Sequence, residues 1–137
     1  MLRRQPTGRG KLPHHGVFTR IRPSSRGGVG VFAIKDIRKG TDLFYGDDDE
    51  IVWVDRAKVR RLPREVRRLY EDFCVIRDKG RTYGCPTSFN RLTVSWYLNS
   101  SSNPNVSCDN DYRFFAARNI KAGEELTVDY STYNEFH

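Results

Sequence analysis

Gly123-Glu124-Glu125-Leu126-Thr127-Val128-Asp129-Tyr130 reads as a strand that ends on a tyrosine. About twenty residues earlier, Trp96-Tyr97-Leu98-Asn99-Ser100-Ser101-Ser102-Asn103-Pro104-Asn105 is a polar turn hung on an apolar run. Pro104 fixes the backbone there, and Asn99, Asn103 and Asn105 bring amides able to bond backbone or ligand. Each segment alone has an ordinary explanation: a satisfied Asx-turn for the one, core packing of a lone tyrosine for the other. The two together, in this order, decide the fold.

The first of these strands belongs to an internal repeat. Residues 32–43 (FAIKDIRKGTDL) match residues 115–126 (FAARNIKAGEEL) position for position in character. In each copy a strand ends in alanine, a polar corner follows, and an isoleucine, Ile37 or Ile120, tucks back toward the core. Glycine then turns the chain into the next strand. Two copies are too few for a solenoid. They fit a mainly β body built on two similar corners.

Outside the repeat, the chain is strand-like from Val17, with Val29, Val31, Phe32 and Ile34 after a Ser24–Gly28 turn and a further run at Ile51–Val54. One helix is expected from about Pro63, with Val66, Leu69, Tyr70 and Phe73 forming an apolar stripe toward a core. A loop is expected from Asp78 to Asn90, and late strands at Tyr112–Ala117 and Leu126–Val128. Residues 1–15 show no periodicity and are expected to form a flexible basic arm, which leaves residues 16–137 as one domain.

Of the 137 residues, 37% are hydrophobic and 30% charged, a globular composition. No apolar run approaches the roughly 20 residues of a membrane span, and no signal-peptide core follows the start, so a soluble protein without a membrane partner is expected. Cys74, Cys85 and Cys108 are odd in number, widely spaced and without a C-x-x-C pair, which argues for reduced thiols and against a zinc site. His14-His15 lacks partners for a metal, and no metal is expected. The formal charge is +7, but 18 of the 24 basic residues are scattered arginines. Their densest cluster, Arg56–Arg68, reads as a solvated face before a nucleic-acid patch. Asp47, Asp48, Asp49 and Glu50 form the one acidic run, able to line a groove for basic tails.

Gly27-Gly28-Val29-Gly30 could bring backbone amides close to a ligand. It is no dinucleotide fingerprint, because no helix follows. With the two later segments, however, the chain resembles the SET-domain protein-lysine methyltransferases over roughly residues 17–133. Gly28-x-Gly30 resembles the family's G-x-G element, which contacts S-adenosylmethionine through its backbone. Residues 96–105 resemble R-F-I-N-H-S-C-x-P-N, with Trp96 in place of Arg, Ser100 in place of His and Ser102 in place of Cys. Residues 123–130 match G-E-E-L-T-x-D-Y throughout.

That resemblance implies a mainly β, β-clip-like SET domain with one short helical insert and a C-terminal pseudoknot. It implies S-adenosylmethionine as cofactor, held by Gly28, Val29, Gly30, Trp96, Asn99 and Ser100, and methyl transfer to the side-chain amine of a protein lysine. Tyr130 takes the place of the catalytic tyrosine and Tyr45 that of a second channel aromatic. Val128 stands where many members carry Phe or Tyr, and Tyr133 with Phe136 could close the site as a lid. Such in-line transfer depends on alignment and desolvation, and on a lysine amine, pKa near 10.4 in solution, arriving neutral. The implied partner is a protein with an accessible lysine; a homodimer is left open, and nucleic acid is the less favoured partner of the basic surface. The small size and the missing post-SET cysteines are similar to stand-alone bacterial or viral members, which implies a cytoplasmic location, or a nuclear one in a eukaryotic or viral setting. The alternative function is a catalytically weak or inactive SET fold that binds cofactor or protein.

Overall fold

A computed structural model describes residues 12–47 and 50–133. In chain order its strands are β1 (Thr19–Pro23), β2 (Val29–Ala33), β3 (Val52–Asp55), β4 (Val75–Arg77), β5 (Thr82–Cys85), β6 (Asn99–Ser100), β7 (Val106–Cys108), β8 (Phe114–Ala116) and β9 (Glu125–Val128). Helices α1 (Arg56–Val59) and α2 (Arg64–Phe73) lie between β3 and β4. The expected mainly β class holds.

The two repeated corners pair with each other. Ile37 N–H donates to Ile120 O at 2.7 Å and Ile120 N–H returns the bond to Ile37 O at 2.8 Å. Around them the partners are exchanged as by a local two-fold. Lys39 N–H donates to the Asn119 side chain and Ala122 N–H to that of Asp36. Gly40 N–H reaches Ala116 O, and Gly123 N–H reaches Ala33 O. Thus each polar corner residue pairs with a backbone donor of the other corner. Both isoleucines are buried with Val31, Leu43, Leu98, Val106, Leu126 and Val128 in the main core.

The strands of the described residues form three small sheets. β1 and β2 form an antiparallel hairpin, β9 joins β2 antiparallel, and β6 adds to β9 in parallel, giving the order β1-β2-β9-β6. β7 pairs with β8, and β5 lies between β3 and β4. β4 and β5 were not foreseen as strands; β5 lies inside the stretch expected to be loop. Its pattern hid because Gly84 and Cys85 do not look like strand formers, whereas Gly84 is required here: a Cβ there would lie 2.7 Å from Val75 Cγ2 and 2.8 Å from the Trp53 ring.

α2 forms where expected but buries less than its pattern promised. Tyr70 and Phe73 carry the contact, against Tyr83, Phe89 and Tyr97. Val66 and Leu69 remain 39% and 38% exposed, because the three-stranded sheet beneath is too small to cover the whole stripe. A second, smaller core of Val59, Cys74, Tyr83 and Cys85 lies under the helix. Of the expected arm, residues 12–15 turn back on themselves (His15 N–H to Leu12 O, 3.0 Å), and His15 meets Tyr45 edge-on. Residues 1–11, Asp48, Asp49 and Phe136 lie outside the described residues. Among those described, no helix is long and apolar enough to cross a membrane.

Candidate active site

Tyr130 begins a single 3₁₀ turn, Tyr130–Thr132, directly after β9. Asp129 caps that turn: its Oδ1 accepts from Ser131 N at 3.0 Å and from Ser131 Oγ at 2.7 Å. The Tyr130 amide donates to Ser100 Oγ at 3.1 Å, and its phenol donates to the backbone carbonyl of Leu98. The tyrosine is therefore held at both ends by the segment that follows Trp96. Burial raises its pKa above the ordinary tyrosine value, so the phenol is neutral through the physiological range.

Around it runs a cleft of about 780 Å³, with aromatic walls from Phe44, Trp53, Tyr112, Phe114 and Tyr133. Tyr133 stands edge-on to Tyr130, Tyr112 and Phe114, with centroids 6.1–6.2 Å away. Its own hydroxyl is pushed far up by burial and by the neighbouring Tyr130. Tyr112 adopts a left-handed φ of 60°, which turns its ring onto Trp53 and Tyr133 and places Arg77 over its face. Trp53, Tyr112 and Phe114 were missed in the sequence, since nothing local marks a strand aromatic as a wall residue. Tyr45 lines the same cleft at its rim, 57% exposed. Trp96 also faces this cleft, together with Leu98. Val128 does not line it: at 1% exposure it belongs to the main core, so its small size leaves no extra room beside Tyr130.

The rim is acidic. Asp42, Asp47, Glu71, Asp72 and Asp111 line the cleft, against one cation, Arg113, which pairs with Asp42 at 3.4 Å. Glu71, Asp72 and Asp111 make no ion pair among the described residues. Asp47 accepts from Thr93 and Ser95. Of the acidic run, Asp47 is thus placed at the groove. The arginines expected on a solvated face do not line it; Arg56 and Arg60 border a separate depression with Lys79 and Arg81.

Asn99 on β6 and the glycine loop before β2 meet across β9. Asn99 Nδ2 donates to Val29 O at 3.1 Å and to Glu125 Oε2 at 2.8 Å. The Glu125 carboxylate also accepts from Ser24 Oγ at 2.8 Å and faces Arg26 at 3.6 Å. Glu125 is thus the tie between the glycine loop and the Asn99 turn, a role hidden in a sequence where it is one of two adjacent glutamates. Asn105 has a different duty. Buried, it donates to Glu125 O, accepts from Thr127 N, and stitches the turn to β9 with all its polar groups satisfied. Gly27 and Gly28 have positive φ and open space where a Cβ would stand, and Val29 and Ser100 are exposed.

A family model for the SET domain matches residues 21–131. The chain belongs to the SET-domain family. Two solved structures share the SET fold at 21% identity. One is a Plasmodium falciparum protein described as a histone methyltransferase, with a TM-score of 0.54 over 83% of this chain and 93% of that one. The other is a humanized mutant of the Chaetomium thermophilum Polycomb Repressive Complex 2 bound to the inhibitor GSK126, with a TM-score of 0.59 over 88% of this chain and 16% of that one. No curated protein matches at a significant level. In this SET domain the motif tyrosine, Tyr130, lines an aromatic cleft.

Proposed function

We propose that this SET domain transfers a methyl group from S-adenosylmethionine to the side-chain amine of a protein lysine. One observation carries the reading: Tyr130 lines the aromatic cleft, and its neutral phenol gives its single proton to Leu98 O, which leaves the oxygen only acceptor capacity for an incoming amine.

The surroundings divide the work. Carboxylates at the rim attract a lysine ammonium to a molecule that is otherwise basic. At the floor, half-buried rings replace water and disfavour the charged form, so the amine sheds its proton to solvent as it enters. Tyr130 is too weak a base to take that proton at neutral pH. Its oxygen instead accepts from an amine N–H and so aims the nitrogen lone pair along the cleft. The aromatic walls of Tyr112, Phe114 and Tyr133 restrict the side chain to one approach.

The cofactor, when bound, supplies an electrophilic methyl group on a sulfonium. The residues present fit such a group: Gly28, Val29 and Ser100 form an exposed, side-chain-poor edge beside Asn99. The family's His is replaced by Ser100, whose hydroxyl accepts from the Tyr130 amide and keeps its own proton to donate, so a contact from this position to the cofactor can come from its backbone or its O–H. Trp96 would join from the cleft side.

The test is incubation with labelled S-adenosylmethionine and lysine-bearing proteins, followed by mass spectrometry of labelled residues. Label on lysine supports the reading. Calorimetric binding of the cofactor without any label transfer would favour the non-catalytic alternative.

A further inference from the structure

The pairing β4–β5 sets Val75 opposite Gly84, Ile76 opposite Tyr83 and Arg77 opposite Thr82. Cys74 immediately precedes β4 with extended backbone angles, φ −89° and ψ 145°. Extending the register by one residue sets Cys74 opposite Cys85, the last residue of β5. Both thiols are buried in the same small core, so they point to the same face of the sheet. Residues directly opposite in an antiparallel pair have Cα atoms about 4.5 or 5.5 Å apart, and a disulfide needs about 4.4–6.8 Å. Either kind of pair therefore meets the Cα spacing of the bond. Cys108 is elsewhere, at the end of β7 and packed against the main core.

We propose that Cys74 and Cys85 form a dithiol site that a two-electron oxidant of the peroxide class converts to a cross-strand disulfide. Cys74 lines the cleft and Cys85 shares its small core, so a molecule the size of hydrogen peroxide enters past Cys74 to meet Cys85. The two neighbouring thiols perturb each other, which raises the pKa of Cys74 and lowers that of Cys85. Cys85 is accordingly the attacking sulfur. Its thiolate displaces hydroxide from the peroxide O–O bond, leaving a sulfenic acid, and the hydroxide leaves as water with the thiol proton. The Cys74 sulfur then attacks the sulfenic sulfur, its proton and the S–OH group leaving together as a second water. Two thiols lose two hydrogens and the peroxide is reduced to two waters. The bond ties the end of α2, just after Glu71 and Asp72, to β5, so it fixes the acidic wall of the cleft. Burial pushes the Cys108 thiol up to about 12, which keeps it out of the reaction.

The test treats the native protein with hydrogen peroxide, alkylates remaining thiols, and maps peptides by mass spectrometry without reduction. The expected product links the Cys74 and Cys85 peptides within one chain, lighter by two hydrogens, with Cys108 alkylated. A link to Cys108, or sulfinic acids at Cys74 and Cys85 with no link, overturns the proposal. In Cys74→Ser, a sulfenic acid trapped by a dione reagent should appear on Cys85; its absence in a folded variant overturns the order of attack. If that variant does not fold, the wild-type map decides the site.

Discussion

The Glu125 carboxylate occupies the space beside Gly30: Cδ lies 2.9 Å from where a Cβ on that glycine would stand, and Oε2 is closer still. Gly30 is thus required by a neighbour in the fold as well as by any ligand. Gly30→Ala should push Glu125 away from Ser24 and Asn99 and loosen both loops. An overpacking cost of about 1–3 kcal/mol is expected, read as a lower melting temperature. Calorimetric titration should also show weaker binding of S-adenosylmethionine. Adding Glu125→Ala should recover part of the stability and none of the affinity. Parent-like melting in Gly30→Ala alone would rule out the clash.

Tyr130→Phe removes the phenol but keeps the ring against Tyr133. Stability should drop by about 1 kcal/mol, the net worth of the hydrogen bond to Leu98 O. Cofactor binding should be unchanged, while turnover falls at least about tenfold, as a group that orients the nucleophile demands. Unchanged turnover in a variant that still binds cofactor would remove Tyr130 from the chemistry.

The pH profile separates orientation from base catalysis. The pKa of Tyr130 is raised, so its phenol stays protonated up to and beyond the ordinary value near 10. The rate should therefore climb with pH as the substrate amine loses its proton, and Tyr130→Phe should keep that climb at a lower level. A flat profile in the phenylalanine variant would mean that Tyr130 takes the proton. Stability should follow a different rule. Tyr130 and Tyr133 both have folded pKa values above their unfolded ones, so their contribution is complete below about pH 10 and is lost as pH rises through the folded values. Alkaline unfolding above that range, followed by circular dichroism, checks the sign.

Charge at the rim should act on capture more than on chemistry. Glu71→Lys with Asp72→Lys replaces by cations two cleft carboxylates that make no ion pair among the described residues. KM for a lysine peptide rich in basic residues should rise several-fold, with kcat little changed and with the difference shrinking as salt screens it. An equal rise for an acidic peptide would show that the residues act by packing rather than by charge.

The fold and the motif tyrosine were legible because each rests on chemistry carried within a short segment. Gly40 and Gly123 announce the corners; the strand expected to end on Tyr130 ends at Val128, and Asp129 caps a turn that Tyr130 begins. Long-range ties were not legible. Glu125 meets Ser24 across a separation of 101 residues, and no local pattern distinguishes it from Glu124, which instead accepts from Lys121 N and pairs with Arg118. Likewise β5 and the Cys74–Cys85 pair depend on which strand lies alongside which, and a register of that kind has no signal in either segment alone. The exposed Val66 and Leu69 show the converse limit: periodicity gives the face of a helix, and the size of the sheet beneath sets how much of that face is covered.

The reciprocal corner makes its own demand on stability. Ile37 and Ile120 are 2% and 1% exposed, and each backbone bonds the other. Ile37→Ala and Ile120→Ala should each cost about 2–5 kcal/mol by losing buried surface and leaving a cavity. Because the two side chains belong to one packed cluster, the first truncation should already loosen the second site. The double variant should then cost less than the sum, by about 0.5 kcal/mol or more, in a denaturant-based double-mutant cycle. Asp36→Ala and Asn119→Ala provide the polar control, each removing one acceptor for the opposite corner at about 1 kcal/mol. Strict additivity of the isoleucine pair would mean that the corners fold as independent turns and that the exchange of hydrogen bonds between them does not couple their packing.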